Sequence, residues 1–591
     1  MRTFLSLFLL TLFAFSLHAQ DQPRITADEV LDHITFLASD SLKGRKPGTP
    51  ESDVAAAYLR DQFRNYGLKP LADNGFQHFE LITDVSMGEN NRMEIDGETF
   101  TPGEDYTPLS FSENATVQAP AVFVGYGMEI NNDSLQWNDY SDLDVSGKWA
   151  VILRGMPADD DPAGVFAGNV SERIKVMVAR DKGAAGVIFV SGPAMAEEDV
   201  LMKMTYDKSA ATAGIPVLQA KRSAIDAVIS TFGKSVANAE SRIKESMSPM
   251  VFSIPAVISA TTDVEFKKAV TQNVVAMLEG SHPQLKDEFV LVGAHFDHLG
   301  FGGPGSGSRA IDTMAVHYGA DDNASGVAGV LELAQKFASM KGQIDRSLIF
   351  AAFGAEEMGL IGSKFFVENS PVNIEKVVAM INFDMIGRLK DARTVSVGGT
   401  GTAAESENIL DRLGRASRLS LKYSSEGYGP SDHAAFYSAN IPVFFISTGA
   451  HEDYHTPKDR VEFINAWGQV EVLKFAQSLV EELANRDDRL TFQEAGPKNR
   501  ARQGYNFKVT LGIMPDFTSS ENDGLGVDGV RPDGPADMGG LEKGDKIVAI
   551  DGKPITNIYD YMGRLKKLEA GQTIAVDVMR NEKKKVLIIQ L

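Results

Sequence analysis

Five short motifs between His295 and His455 each place an acidic or histidine side chain at or just after the end of an apolar run. The apolar runs LVGAH, LIFAAFG, VVAMINFD and VFFIST are rich in Val, Ile, Leu and Phe. Runs of this kind are typical of parallel strands that are buried on both faces. Because ligands bind beyond the carboxyl ends of the strands in an open α/β sheet, we expect the five motifs to meet at one site. The motifs are GAHFDH (Gly293–His298), GADDNASG (Gly319–Gly326), GAEEMG (Gly354–Gly359), INFDMIG (Ile381–Gly387) and DYHTPKD (Asp453–Asp459).

Helical patterns alternate with these runs, as at Ala324–Met340, Ala404–Leu419 and Ala466–Asn485. Strands that alternate with helices predict an α/β fold with a mixed, mostly parallel sheet flanked by helices. The chain has 591 residues, which is too long for one hydrophobic core, so we expect several domains. The formal net charge of -22 argues against nucleic acid or an anionic membrane as the main partner.

Changes in composition and pattern along the sequence divide the chain into further segments. Residues 118–255 contain short β runs with glycine turns and lack clustered His or carboxylate at the ends of these runs, which predicts an insert within a main domain of residues 20–117 and 256–486. Residues 487–504 are charged and contain Gly and Pro, so we interpret them as a linker. Residues 505–591 predict a small β-rich domain that can fold alone.

The first 19 residues have the three parts of a secretory signal: Arg2, an apolar run from Phe4 to Leu17, and a small residue, Ala19. The run is shorter than the roughly 20 residues that a spanning helix needs. No other apolar stretch is long enough to span a bilayer, and the chain has no cysteine, which excludes disulfides and thiolate metal sites. We therefore expect an exported protein, periplasmic or secreted, with no transmembrane segment in its mature form.

The motifs hold more metal-binding side chains than one tetrahedral zinc ion needs. Two zinc ions that share one carboxylate would use five ligands, and such two-metal sites activate a water between the ions. Glu356 is adjacent to a candidate ligand and can act as the general base. Asp297 can reach back and orient the imidazole of His295. The five candidate ligands are His295, Asp322, Glu357, Asp384 and His455.

Taken together, the five motifs resemble the aminopeptidase Y and bacterial leucyl aminopeptidase family of two-zinc exopeptidases, over about residues 24–485. The resemblance implies that His295 and Asp384 bind one zinc, that Glu357 and His455 bind the other, and that Asp322 bridges them. It also implies a cis peptide bond between Asp322 and Asn323. For the side chains around the metals, it implies that Glu356 is the general base, that Tyr454 supports the oxyanion and that Asp432 lies behind the ligands.

Two further resemblances concern the other domains. The insert is similar to a protease-associated (PA) domain, and the C-terminal domain is similar to a PDZ domain of the bacterial periplasmic-protease type, most clearly over Gly529–Ile555. The PDZ resemblance implies that Thr510, Leu511, Gly512 and Ile513 form a loop whose backbone N–H groups bind the C-terminus of a peptide. The implied partners are therefore peptide substrates with a free N-terminus and a second peptide at the PDZ domain.

Other functions remain open at this point. The same fold carries zinc carboxypeptidases and one-zinc glutaminyl cyclases. An inactive scaffold that binds peptides through its PA and PDZ domains is an alternative of another class. The intact set of candidate ligands favours the aminopeptidase.

Overall fold

A computed structural model describes residues 23–591 apart from 132–134, 159–163, 207–210, 304, 311, 497, 499–508, 516–522 and 532–533. The predicted signal segment, residues 1–19, lies outside the described residues, as do residues 497 and 499–504 of the predicted linker at 487–504. In the described part of the chain, no helix combines the length and apolarity that crossing a membrane requires.

The main domain is built on a mixed sheet whose central strands are parallel. The strand Phe289–His295 lies between Ser347–Phe353 and Val377–Phe383, and Val443–Ser447 continues the parallel part. The predicted mixed α/β sheet is therefore confirmed; its central strands are parallel, and antiparallel pairs lie on both sides of them. The spatial order of the strands is Lys69–Pro70, Val264–Leu278, Ser347–Phe353, Phe289–His295, Val377–Phe383, Val443–Ser447, Thr394–Gly398 and Ser420–Tyr423, and Phe76–Met87 also pairs with Val264–Leu278.

Both faces of the central strands are covered by helices. Along Phe289–His295, Val290 and Val292 pack into the hydrophobic core on one face, and Leu291 packs into the core on the other. This alternation follows from the two-residue period of a strand, and burial on both faces explains why the sequence is apolar throughout. The helices of this domain are Ala27–Leu37, Pro50–Asn65, Gly326–Ser339, Ile361–Glu368, Ser406–Ala416, His433–Ser438 and Ala466–Asn485.

The inserted domain has a sheet of its own, and this sheet extends beyond the predicted limits of 118 and 255. The strand Arg92–Ile95 pairs with Val251–Thr261, and Tyr106–Pro108 pairs with Val217–Ala220. Strands on both sides of the predicted limits thus complete the sheet. Their partners lie more than 100 residues away, so the local sequence does not show that they belong to it. The sheet order is Glu98–Phe100, Arg92–Ile95, Val251–Thr261, Thr116–Val124, Trp149–Leu153, Gly186–Val190, Val217–Ala220 and Tyr106–Pro108, with a separate hairpin of Glu129–Asn131 and Gln136–Asn138 and helices Glu172–Asp181, Arg222–Ile229 and Val236–Ser246.

The C-terminal domain is a small β-rich unit with its own core, as predicted. Its helix Ile558–Leu565 lies against the helix Glu172–Asp181 of the insert. Arg180 of the insert forms an ion pair with Asp560 of the C-terminal domain at 2.5 Å. In the reciprocal pair, Arg564 of the C-terminal domain donates to Asp181 of the insert at 2.8 Å. Its other elements are the strands Ile513–Pro515, Leu525–Val530, Lys546–Ile550, Lys553–Pro554, Thr573–Arg580 and Lys583–Gln590, and the short helix Pro535–Met538.

Candidate active site

The five motifs meet at the carboxyl edge of the parallel strands, where the sequence predicts them. His295 ends its strand, and Asp384 directly follows the strand Val377–Phe383. Glu356 and Glu357 follow Phe353, the last residue of the neighbouring strand. The second and fifth motifs reach the same edge from the turn Ala320–Ser325 and from the loop after Val443–Ser447.

All five predicted metal ligands lie close together. On one side, His295 Nε2 is 3.4 Å from Asp322 Oδ1 and 3.6 Å from Asp384 Oδ2. On the other side, His455 Nε2 is 3.1 Å from Asp322 Oδ2 and 3.2 Å from Glu357 Oε2. Asp322 therefore presents one carboxylate oxygen to each of two groups of ligand atoms.

The neighbouring Asp321 points away from this cluster. Its Oδ1 accepts hydrogen bonds from the backbone N–H of Gly387 at 2.7 Å and from Ser325 Oγ at 2.9 Å. The peptide bond between Asp322 and Asn323 is cis, as the resemblance implied. Asp321 and Asp322 are adjacent and of the same residue type, but their side chains point to different places. Only that of Asp322 faces the cluster.

Asp459 and Arg388 support Asp322, although the sequence indicated no role for either residue. Asp459 Oδ2 accepts the backbone N–H groups of Asp321 at 3.0 Å and Asp322 at 2.9 Å. The guanidinium of Arg388 donates to the other oxygen of Asp459 at 2.9 Å and to Asp453 at 2.7 Å. Asp459 is the last residue of the motif DYHTPKD, so its position could have indicated a role near the site. Its role as a hydrogen-bond acceptor depends on tertiary contacts and is visible only in the structure.

Asp297 differs from its predicted role as the carboxylate that orients His295. His295 Nδ1 instead lies 3.2 Å from the backbone carbonyl of Asp297, and its distance to the carboxylate oxygen Oδ1 is 3.7 Å, too long for a hydrogen bond. The carboxylate accepts the backbone N–H groups of Glu356 at 3.0 Å and Glu357 at 3.3 Å. Asp297 therefore holds the third motif against the first, and its carbonyl leaves His295 Nε2 available as a ligand atom.

Glu356 lies beside the cluster without belonging to either group of ligand atoms. Its Oε2 is 3.9 Å from His295 Nε2, and the residue is 9% exposed. Burial raises the pKa of Glu356 well above its ordinary value, and the neighbouring Glu357 raises it further while His295 opposes the shift. Asp432 is also buried, and burial raises the pKa of this carboxyl to about 7.

Tyr454 and the glycine-rich stretch Phe301–Ala310 both contact His455. The Tyr454 ring stacks on the His455 imidazole with 3.9 Å between ring centroids. Burial raises the pKa of the Tyr454 phenol, and the carboxylates of the cluster add to this shift. His455 Nδ1 donates to the carbonyl of Gly307 at 2.9 Å, so this stretch orients the imidazole and leaves its Nε2 facing the cluster.

The residues fit a pair of zinc ions. Ligand atoms held at 2.0–2.1 Å by one tetrahedral zinc lie about 3.3 Å apart, and the four histidine–carboxylate separations given above range from 3.1 to 3.6 Å. Two candidate groups occur in the described residues: one of His295, Asp322 and Asp384, and one of His298, Asp322 and Glu357, in which His298 stands where the prediction places His455. Among the described residues, the buried Oδ2 of Asp322 has no hydrogen-bond partner, which a cation would satisfy.

Comparison with known proteins identifies the domains. Residues 273–479 match the model of peptidase family M28. Residues 273–479 form a peptidase domain of family M28. Residues 107–228 match a PA domain and residues 509–591 match a PDZ domain, so the three predicted resemblances are confirmed.

Proteins similar to this chain carry the name aminopeptidase. An aminopeptidase of Pseudomonas aeruginosa is 28% identical over 431 residues, which cover 71% of this chain and 69% of the relative. Aminopeptidase YwaD of Bacillus subtilis is 26% identical over 365 residues, which cover 59% and 66% of the two chains. The solved aminopeptidase from Aneurinibacillus sp. strain AM-1 aligns with a TM-score of 0.46 at 23% identity, over 80% of this chain and 96% of that one.

The predicted peptide-binding loop of the PDZ domain, residues 510–513, is partly engaged by its own domain. Gly512, at a φ of 76°, donates its N–H to Thr510 Oγ1 at 3.1 Å. The carbonyl of Leu511 accepts from Ala536 at 2.8 Å, and Leu511 itself is buried. Peptide binding by Thr510, Leu511, Gly512 and Ile513 stays a prediction.

Proposed function

We propose that this M28 peptidase is an exported aminopeptidase that binds two zinc ions and removes residues from the free N-terminus of peptides. The observation that carries the proposal is the position of Asp322, which presents one oxygen to His295 and Asp384 and the other to His455 and Glu357. One carboxylate between two matched groups of ligand atoms is what a pair of bridged ions requires.

The residues of the chain then have distinct roles. His295 and Asp384 would hold one ion, Glu357 and His455 the other, and Asp322 both. When bound, the two ions supply Lewis acidity that polarises the scissile carbonyl and lowers the pKa of the attacking water.

Glu356 and Tyr454 carry the proton chemistry of the proposal. Glu356, adjacent to the cluster and outside both ligand groups, accepts the proton of the water and donates it to the leaving amine. The Tyr454 phenol keeps its proton at neutral pH, because its pKa is raised, and can donate a hydrogen bond to the oxyanion.

We expect the enzyme to hydrolyse an aminoacyl anilide with a free amino group and to leave the N-acetylated form of the same compound intact. A zinc chelator should abolish the hydrolysis, and added zinc should restore it. The measurement is the release of the coloured amine, with the metal content of the protein determined in parallel. Release of residues from the C-terminus would favour a carboxypeptidase, one zinc ion per chain would favour a cyclase, and a zinc-loaded chain without activity would favour a scaffold.

Zinc binding should release protons. In the metal-free protein burial lowers the pKa of His455, but the Asp322 and Glu357 carboxylates outweigh this effect and raise it to about 10. His455 is therefore protonated at neutral pH and must lose this proton to bind zinc, so zinc affinity should fall as the pH is lowered. Calorimetry in buffers of different ionisation enthalpy measures the release; a binding heat independent of the buffer would contradict it.

Export and peptide capture by the PDZ domain complete the proposal. The basic, apolar and small-residue segments of residues 1–19 support removal of a signal peptide. Mass spectrometry of the exported protein would test this removal, since cleavage near Ala19 lowers the mass of the chain by that of about its first 19 residues. Binding of a peptide with a free C-terminus, compared with its amidated form, would test the PDZ loop.

A further inference from the structure

His298 lies three residues beyond the end of the first strand and contacts a predicted metal ligand. It is 1% exposed, and its Nδ1 lies 2.9 Å from Glu357 Oε1. Its distance to Asp322 Oδ2 is 3.9 Å. Its ring and that of His455 form a T-shaped pair, with 5.8 Å between centroids. Two histidines therefore flank Glu357, one at each carboxylate oxygen.

The distances separate a metal ligand from a hydrogen-bond donor. His455 Nε2 is 3.1 and 3.2 Å from its two carboxylate neighbours, close to the roughly 3.3 Å expected between atoms that share one zinc ion. His298 Nδ1 is at 2.9 Å from one carboxylate and 3.9 Å from the other. The shorter distance is the ordinary length of an N–H···O hydrogen bond, and the pair of unequal distances does not suit a shared ion.

The protonation of His298 agrees with a donor at Nδ1. Among the described residues, the buried Nε2 of His298 has no hydrogen-bond partner. If Nδ1 carries the hydrogen, Nε2 is an unpaired acceptor. If Nε2 carried it, a buried N–H donor would lack an acceptor and Glu357 Oε1 would face a lone pair. The first arrangement leaves fewer unfavourable contacts.

The surroundings fix the His298 ring at this place. Its backbone N–H is 3.4 Å from the carbonyl of Arg45. On the ring side, a Cβ atom added to Gly319 would come within 2.6 Å of His298, and Gly319 has a φ of 55°. The same Cβ atom would come within 2.2 Å of the backbone carbonyl of Asp322, so the glycine leaves room both for the His298 ring and for the turn of the second motif. His298, itself in the first motif, thus packs against the second motif at Gly319 and contacts the third at Glu357.

We propose that His298 is a positioning residue that donates its Nδ1–H to Glu357 Oε1 and so leaves Oε2 alone to bind metal together with His455. The inference rests on the two-zinc site proposed above and deepens it. The ordinary cost of removing a partner that orients a metal ligand is a 10- to 100-fold loss of metal affinity. We therefore expect His298→Leu to weaken one of the two zinc sites by about that factor.

The experiment compares His298→Leu with His298→Asn, whose side-chain amide can place a donor close to the position of Nδ1. Zinc dissociation constants come from competition with a chelator, and the absorption spectrum of the cobalt-substituted protein reports on the weaker site. We expect His298→Asn to recover most of the affinity and the wild-type spectrum. As a control, His33→Leu removes a buried histidine that is hydrogen-bonded to Tyr58, and it should leave both zinc affinities unchanged.

The outcomes distinguish this inference from the function on which it rests. If the wild-type chain binds fewer than two zinc ions, the two-zinc proposal itself is wrong. If the wild type binds two and His298→Leu binds both with wild-type affinity, the positioning role is wrong and the two-zinc proposal stands. If His298→Asn loses the site as completely as His298→Leu and its cobalt spectrum loses a nitrogen ligand, His298 is a ligand and the inference is overturned.

Discussion

Replacing Glu356 with Gln should lower kcat by about 10²- to 10⁴-fold while the zinc content of the protein stays at its wild-type level. The carboxylate of Glu356 lies next to the metal ligands but outside both groups, with Oε2 3.9 Å from His295 Nε2. The amide is nearly isosteric and cannot accept the proton of the water. Because the backbone of Glu356 is held by Asp297, the substitution should not move the loop.

The comparison that tests this assignment is Glu357→Gln. Glu357 is adjacent in sequence, yet its Oε2 lies 3.2 Å from His455 Nε2, so its replacement should lower zinc affinity as well as activity. Steady-state kinetics with saturating zinc, together with metal analysis, separates the two effects. Full activity of Glu356→Gln with zinc bound would show that another group is the base, and loss of zinc from Glu356→Gln would show that Glu356 is a ligand.

Replacing Arg45 with Met should destabilise the metal-free peptidase domain by about 3–5 kcal/mol. Arg45 is fully buried, and its hydrogen bonds within the described residues go to backbone carbonyls. Its Nε donates to Phe296 at 2.8 Å, and its Nη2 donates to Gly319 at 3.0 Å. Its Nη1 donates to Leu37 at 2.5 Å and to Tyr318 at 2.7 Å. Each buried carbonyl that loses its donor costs about 1–3 kcal/mol, partly offset where the structure relaxes.

Two variants give this prediction its control. Lys43→Met, in the same loop, removes an exposed cation and should change stability by less than about 0.5 kcal/mol. Arg45→Lys keeps the charge but not the planar fork of donors, so it should recover only part of the loss. The measurement is the urea midpoint of the metal-free protein. A midpoint for Arg45→Met equal to that of Lys43→Met would contradict the structural role of Arg45.

The structural roles of Arg45 and Asp459 could not be predicted from the sequence. The segment LKGRKPGTPE, which contains Arg45, predicts a loop before a helix and carries no catalytic spacing. The structure shows that Arg45 joins the first two motifs. It donates to the carbonyl of Phe296, which lies within the first motif, and to that of Gly319, the first residue of the second motif. Asp459 is similar, because its acceptor role depends on backbone N–H groups 137 and 138 residues away.

Domain limits show the same division. The helix Ala466–Asn485 has the bounds that the periodicity predicts, because its apolar repeat is local. The sheet of the insert extends beyond the predicted limits of 118 and 255, since Arg92–Ile95 is recognised as part of it only through its pairing with Val251–Thr261. Short strands of four residues carry little periodic signal of their own.

The sequence by itself determined the central strands of the main sheet, the order of the motifs along them and the chemical types of the candidate ligands. Each of these is written in a local run of apolar residues followed by His, Asp or Glu. The tertiary structure alone decided that the Asp297 carboxylate binds the backbone of the third motif, and that His298 meets Glu357. The physical reason is that periodicity reports the burial of one segment at a time, whereas a hydrogen bond depends on two segments whose relative position is set by the packing of the whole sheet.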